Sequence, residues 1–447
     1  MAKRLVILGA GESGCGTAVL SMAKGFDTFV SDLGMIKPLH TNELQSLGVQ
    51  WESEKHTEDK ILNADIIVKS PGIPDKAPLV KKARELGIPV VSEIEFASKY
   101  TNAKLIGITG TNGKTTTTLL THHILKNAGL NVGLGGNIGK SFARQVALSN
   151  HDSFVLELSS FQLDGMVEAR IHQAVLTNIT PDHLDRYEYQ LENYIRSKFR
   201  ITQNQETEDS FIFCADDPLT TDNLKYNTGK GQSLSFSINH EVQNGAFLSG
   251  NEIIVRLKQL NKEFIMPISQ ITISGKHNIY NSMAAAIVSN SFEIRNDLIR
   301  QSFTDFINVE HRMEFVAKIK GVDFVNDSKA TNVNSAWYAL ESMETPVVWI
   351  AGGTDKGNDY GILKDLIKEK VRVIVCMGLD NSKIHQAFGH DVELIINTTS
   401  AEDAVNAAYR FAKKGDTVLL SPACASFDLF NDYEDRGNQF KHYVKEL

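Results

Sequence analysis

The sequence predicts an α/β protein built from three domains. Short β-branched apolar runs recur along it, each followed by a glycine or polar turn and a longer amphipathic stretch. Its 447 residues exceed what one ordinary core encloses. The opening strands of the first two series of runs also lead straight into glycine-rich loops.

The runs KRLVILG, DTFVSD, ADIIVKSPG and IPVVSE form the first series, and AKLIGITG, DSFVLELSS, QAVLTNI and SFIFCADD the second. VDFVNDS, PVVWIAGG, VRVIVCMG, VELIINT and DTVLLSPA form the third. Continuous apolar strands alternating with helical patterns indicate parallel sheets covered on both faces. The expected domains are residues 1–98, 99–308 and 309–447, divided near KYTNAK and INVEHRM. Within the middle one, residues 232–273 alternate apolar and polar positions between Gly and Asn turns, which predicts a small antiparallel sheet.

Composition narrows the function classes. A net charge of -8 leaves no basic footprint for nucleic acid or an anionic membrane, so an anionic ligand must be met by local cations, helix N-termini or metal ions. Cys15, Cys214, Cys376 and Cys424 lie far apart without a C-x-x-C pair, which suggests neither a zinc site nor a disulfide framework and fits a reducing compartment. The opening MAKRLVILGAGESG has an apolar run that stops at Gly9 and meets Glu12, too short for a signal peptide. A cytoplasmic protein without membrane insertion is expected.

The first loop, Gly9-Ala10-Gly11-Glu12-Ser13-Gly14, fits G-x-G-x-x-G after a strand, with Asp32 closing the next strand. Such a loop brings a diphosphate to a helix N-terminus, whatever nucleoside carries it, and alone it favours an NAD or FAD oxidoreductase. The second loop, Gly110-Thr111-Asn112-Gly113-Lys114-Thr115, follows KLIGIT and precedes TTTLLTHHILKNAG. It misses the first glycine of G-x-x-x-x-G-K-[ST], since position 108 holds Ile108, and Gly110 supplies the permissive backbone instead. Loop N–H groups, the Lys114 ammonium and the helix dipole would face one phosphate cluster, with Thr115 able to ligate Mg²⁺.

TGTNGKTTT, LELSSFQL, TNITPDHLDRY, GKHNIYN, EHRME, NDSKATN and SPACASFD, in that order, resemble the Mur ligases, ATP-dependent amide-forming enzymes of peptidoglycan precursor synthesis. The resemblance runs from Gly9 to the C-terminal RGNQF, and its details are closest to the branch that adds D-glutamate to UDP-N-acetylmuramoyl-L-alanine. It implies an N-terminal Rossmann-like domain for the UDP-sugar, a central P-loop ATPase-like domain and a C-terminal Rossmann-like domain for the amino acid. It also implies an acyl-phosphate intermediate, ATP as co-substrate and two Mg²⁺ ions, and a monomer is expected.

Carried over position by position, the resemblance assigns Gly110, Thr111, Asn112, Gly113, Lys114, Thr115, Thr116, Asn278, Asn281, Arg312 and Asp327 to ATP. Thr115, Glu157, His183 and a carbamylated Lys198 would hold metal, with Asp182 orienting His183 and Ser159 near metal-bound solvent or phosphate. Lys114, Lys198, His183 and Lys329 are the expected catalytic set. Glu12, Ser13, Asp32, Ser70, Gly72, Asn137 and His183 match the UDP-sugar positions, although Leu33-Gly34 stands where some relatives place a hydroxyl and a basic residue. Thr331, Lys356, Ser426 and Tyr433 match the D-glutamate positions. A related ligase, another Mur ligase or a folylpolyglutamate synthetase, is the nearest alternative; the oxidoreductase leaves GTNGKT, Glu157 and NDSKATN without a task.

Overall fold

In the computed structural model, every apolar run of the three series becomes a strand. Residues 2–259, 262–273, 275–307, 310–355 and 357–447 are described. The strands gather into three sheets, one for each expected domain. The expected division between 308 and 309 and the candidate Lys356 lie outside the described residues.

The first sheet is wholly parallel, in the order Gln50–Glu52, Asp27–Ser31, Arg4–Leu8, Ile66–Lys69, Val90–Val91. Strand order reverses between Arg4–Leu8 and Ile66–Lys69, the point where open α/β sheets bind ligands. Gly9 and Ser70 stand on either side of it, and the amide of Ser70 donates to Leu8 O at 2.8 Å. Gly9 has φ +94°, and a Cβ there would lie 2.4 Å from Ser70 Oγ. The turn feeds helix Glu12–Ala23, where a Cβ on Gly14 would lie 1.9 Å from the Gly9 carbonyl oxygen.

The second sheet has nine strands. Third from one edge, Lys104–Thr109 lies between Ser153–Glu157 and Gln173–Leu176, parallel to both. The loop after Thr109 is thus flanked by Glu157 on one side and by Thr177 and Asn178 on the other. The residues expected to form a small antiparallel sheet extend this one: Gln232–Ser237 and Gly245–Ser249 add parallel strands, then Glu252–Leu257 and Lys262–Pro267 add an antiparallel edge. Val132–Gly136, sequence VGLGG, is a strand with no apolar run to announce it; a Cβ on Gly133 would lie 2.4 Å from Phe154, so the absence of side chains permits the pairing.

The third sheet runs Glu314–Ile319, Val322–Asn326, Thr417–Leu420, Val347–Ala351, Val371–Met377, Leu394–Thr398, with only its first pair antiparallel. Trp349 is buried at its centre and its indole N–H donates to Ser421 O at 2.8 Å. Burying such aliphatic and aromatic side chains is worth about 1.5–3 kcal/mol each.

The chain divides into two compact units, Met1–Thr272 with Ile279–Phe306, and Ile273–Asn278 with Ile307–Leu447. Buried carboxylates fasten the first two sheets together inside the first unit. Glu95 Oε2 accepts the backbone N–H groups of Val167, Glu168 and Ala169 at 2.9, 3.0 and 2.9 Å. Glu93 Oε1 accepts the Ser141 hydroxyl at 2.5 Å and the Ala143 amide at 3.0 Å. Arg144 bridges Glu12 and Glu43. A Gly14→Ala change, forcing a methyl against a backbone carbonyl, is expected to lower the stability of the first unit by about 1–3 kcal/mol, read as an earlier denaturant midpoint; an unshifted midpoint would contradict the close approach.

Candidate active site

The loop Gly110–Gly113 is shaped by Thr177 and Asn178, which directly succeed the neighbouring strand Gln173–Leu176. Asn178 O accepts the Thr111 amide at 2.9 Å, Asn178 Oδ1 accepts the Asn112 amide at 2.9 Å, and Thr177 Oγ1 donates to Asn112 O at 2.6 Å. Thr111 Oγ1 donates to Thr180 O at 3.0 Å and receives the Thr180 amide at 2.9 Å. Gly110 and Gly113 have φ +143° and +83°, and a Cβ on Gly110 would fall 1.9 Å from Thr177 Oγ1. Gly113 caps helix Lys114–Asn127, in whose first turn Thr115 and Thr116 are buried.

Two lysines converge here. Lys114 Nζ donates to Gly110 O at 2.9 Å and Thr111 O at 2.6 Å, while Lys198 Nζ donates to the same Gly110 O at 2.7 Å and Thr109 Oγ1 at 3.3 Å. Lys198, from helix Leu191–Phe199, is 2% exposed. Burial, with the Lys114 ammonium beside it, holds its amine well below the usual lysine range.

Glu157 ends its strand level with Ile108 and is 2% exposed. Its Oε1 accepts Asn137 Nδ2 at 2.8 Å, whereas Oε2 is buried with no hydrogen-bond partner among the described residues. A buried carboxylate oxygen left open beside a phosphate-type loop is what a hard cation would satisfy, so the donor set fits Mg²⁺. His183 sits in the left-handed region at φ +52°, its amide donating to Asp182 Oδ1 at 2.9 Å. Its ring packs edge-on to Phe161 at 5.1 Å, and Arg186 covers the Phe161 face at 4.3 Å while donating to Gly72 O at 3.2 Å and Pro71 O at 3.3 Å. Ser159 caps helix Ser160–Asp164 in a reciprocal box with Gln162.

Asn281 lies against the loop: Thr117 Oγ1 donates to its Oδ1 at 3.2 Å, and a Cβ on Gly113 would lie 2.3 Å from that oxygen. Asn278 is the third residue of helix Lys276–Ser291, inside its first turn rather than at its cap. At the first sheet, Asp32 Oδ2 accepts the Ala10 amide at 2.6 Å and braces the loop backbone, while Oδ1 accepts the Gly34 amide of its own turn at 2.8 Å. Glu12 holds Arg144, Ser13 lies against Glu93, and Ser70 Oγ donates to Gly9 O at 3.5 Å.

In the second unit, Asp327 follows Val322–Asn326 and is 1% exposed. Its Oδ2 accepts Ser421 Oγ at 3.0 Å, and Arg312 Nη1 lies 3.8 Å from Oδ1. Burial raises its pKa to about 6, opposed by Arg312. Lys329 Nζ donates to Tyr433 Oη at 3.2 Å and stands over that ring at 5.1 Å. The Thr331 amide donates to Lys329 O at 2.9 Å, and Ser426 is buried in the loop after Thr417–Leu420. The candidates from NDSKATN and Tyr433 are therefore neighbours.

Three contributors escaped sequence reasoning. Tyr194 reaches Thr111 Oγ1 at 3.1 Å and presents its ring 5.1 Å from Lys198 Nζ; its place one helical turn before Lys198 was the available signal. Asn178 holds the loop from within TNITP. Arg436, from RGNQF, is fully buried and donates to Ser328 Oγ, Ser328 O and Cys424 O at 3.0, 2.8 and 3.2 Å, tying NDSK to SPAC.

Family models match along the chain: a MurD-like N-terminal domain of Mur ligases at residues 3–92, the Mur ligase middle domain at 108–289, and the Mur ligase glutamate ligase domain at 311–424. The chain belongs to the Mur ligase family. Its full-length relatives narrow this further: a protein of Christiangramia forsetii named UDP-N-acetylmuramoylalanine--D-glutamate ligase is 56% identical over 447 residues, covering 100% of both chains. A Bacteroides fragilis protein of the same name is 55% identical, again over 100% of both chains. The fold is that of the UDP-N-acetylmuramate-alanine ligase of Thermotoga maritima, at TM-score 0.62 and 18% identity over 99% of each chain.

Asp327 gives a pH test. Its folded pKa, about 6, lies above the ordinary 3.8, so between these values the folded chain binds the extra proton and stability falls as pH rises. Relative to wild type, Asp327→Asn should gain about 2 kcal/mol on passing from pH 4 to pH 6.5 in denaturant titrations. A difference between the two proteins that stays level with pH would refute the raised pKa.

Proposed function

We propose that the chain joins D-glutamate to UDP-N-acetylmuramoyl-L-alanine at the expense of ATP, releasing ADP and phosphate in peptidoglycan precursor synthesis. The full-length match to relatives of that name, 56% identical over 447 residues, carries the reading. The site's chemistry supports it.

The substrate carboxylate attacks the γ-phosphorus of ATP, a P–O bond forms, ADP leaves, and an acyl phosphate results. The amine of D-glutamate then adds to the acyl carbon, loses a proton, and phosphate departs. Both partners of the first step are anions, so their meeting point must be electropositive. Lys114 and the loop N–H groups, with Gly110, Thr111, Asn112, Gly113, Thr115 and Thr116, receive the phosphates; Asn278, Asn281, Arg312 and Asp327 serve the rest of ATP. Thr115, Glu157, His183 and carbamylated Lys198 would hold Mg²⁺, two ions in this reading, which supplies the charge that lets carboxylate and triphosphate approach.

A lysine ammonium cannot ligate a cation. The depressed basicity of Lys198 favours a neutral amine, which adds to CO₂ and loses a proton to become an anionic carbamate. Glu12, Ser13, Asp32, Ser70, Gly72, Asn137 and His183 receive the UDP-sugar, with Asp32 acting through the backbone it braces. Lys329, Thr331, Ser426 and Tyr433, together with Lys356, provide cationic and hydroxyl donors for the two carboxylates of D-glutamate. The reading is of a monomer working in the cytoplasm; no helix among the described residues is long and apolar enough to cross a membrane.

Phosphate release with ATP, Mg²⁺ and UDP-N-acetylmuramoyl-L-alanine should depend on D-glutamate and not on L-glutamate, L-lysine or diaminopimelate; release indifferent to the amino acid would overturn the assignment. Lys114→Ala should lower turnover by about 10² or more, as expected for losing a transition-state donor. Near-normal turnover in that variant would remove the loop from the chemistry.

A further inference from the structure

The nucleotide-type loop of the first sheet has an unexplained neighbour. Cys15, in the first turn of helix Glu12–Ala23, faces His40 and Glu43, which stand three residues apart on helix Pro38–Ser46. A ring nitrogen, a thiol sulfur and a carboxylate oxygen from these residues lie within 4.8 Å of one another, and among the described residues this is the one His, Cys and acid group that converges so closely.

We propose that Cys15, His40 and Glu43 form a binding site for a borderline divalent cation of the Zn²⁺ type, and that filling it weakens UDP-sugar binding. Donor chemistry selects the ion: sulfur, imidazole and one carboxylate suit Zn²⁺ or Co²⁺, while Mg²⁺ prefers all-oxygen surroundings. Ligands sharing one Zn²⁺ sit roughly 3.5 Å apart, so closure needs side-chain shifts of about 1 Å. His40 and Glu43 are half-exposed and can make them, and they give the ion its path to buried Cys15. Two of the three donors are also poorly satisfied without an ion. His40 Nδ1 is buried with no hydrogen-bond partner among the described residues, and the Cys15 thiol has only a long contact to Ala10 O at 3.6 Å. Burial and nearby Glu43 push that thiol up to about 12, so the bound cation must displace its proton and binding should strengthen as pH rises.

The link to the loop rests on the same contacts. Metal on Cys15 removes its thiol proton from the Ala10 carbonyl, inside Gly9–Gly14. Metal on Glu43 competes with Arg144, whose other carboxylate partner is Glu12 in that loop. Two points of the proposed diphosphate cradle thus shift together. This second half rests on the function proposed above; the metal site does not.

The test is cobalt titration of the metal-stripped full-length enzyme with Mg²⁺ present. Wild type should bind one Co²⁺ with a thiolate-to-cobalt charge-transfer band, Cys15→Ser should lose the band, and His40→Ala should bind at least about tenfold more weakly. Cys214, Cys376 and Cys424 remain in both variants, so a band persisting in Cys15→Ser, or none in wild type, overturns the site. Calorimetry of UDP-N-acetylmuramoyl-L-alanine with one equivalent of Zn²⁺ should show at least about tenfold weaker binding in wild type and little change in His40→Ala. Equal affinity for the loaded and metal-free enzyme overturns the coupling. Failure of the metal-free enzyme to bind the UDP-sugar overturns it together with the function it rests on, while the cobalt band still judges the site.

Discussion

Two lysine amines donate to one carbonyl oxygen, that of Gly110, at 2.9 and 2.7 Å. Two ammonium ions so close repel, and the repulsion is strongest where water is absent. Lys114 is half-buried and keeps contact with solvent; Lys198, 2% exposed, is the one whose proton is held weakly. Burial and this repulsion underlie the proposed division of labour: a cation for phosphate at the loop, and beneath it an amine that would take up carbon dioxide. Gly110 makes this possible because its φ of +143° turns the carbonyl between the lysines, in a space where Thr177 leaves no room for a Cβ.

The first unit also brings its two sheets into one working surface. Arg186 reaches from the segment after TNITPDH to the carbonyls of Pro71 and Gly72, and its guanidinium covers Phe161, whose edge meets His183. A line of side chains therefore runs from the switch point of the first sheet to His183. A substrate with a diphosphate at one end and a reacting carboxylate at the other needs such a line. The buried acceptors Glu93 and Glu95, each holding backbone amides across the junction, keep its two ends from drifting.

Much of this was legible in the residues. Each apolar run became a strand because a strand covered on both faces demands apolar residues at every position. The glycine pattern of VGLGG hid a strand whose reason for existing is the neighbouring Phe154 ring, and Glu314–Ile319 hid because an exposed antiparallel edge needs no apolar run. Lys114 could be read from its loop, since glycine, lysine and threonine at that spacing have few other uses. Asn178 and Arg436 could not, because their work is to hold something distant in sequence, and Tyr194 was signalled only by its place one turn before Lys198. At Asp32 spacing found the residue, while its hold on the Ala10 and Gly34 amides is seen only in the structure.

The second unit shows the same economy with the sign of charge reversed. Arg436 is fully buried and its hydrogen bonds go to two carbonyls and a hydroxyl, with no carboxylate within salt-bridge distance among the described residues. Burial lowers its pKa only to about 10, so the guanidinium remains charged at neutral pH. Lys329 adds a second cation on the Tyr433 ring, and Arg312 lies 3.8 Å from an Asp327 whose own carboxyl resists ionisation until about pH 6. Buried Arg436, with Lys329 on the Tyr433 ring, places positive charge at the loops carrying Thr331 and Ser426. A buried positive field of that kind costs folding free energy, and what it suits is a ligand that brings negative charges of its own, as a dicarboxylic amino acid does.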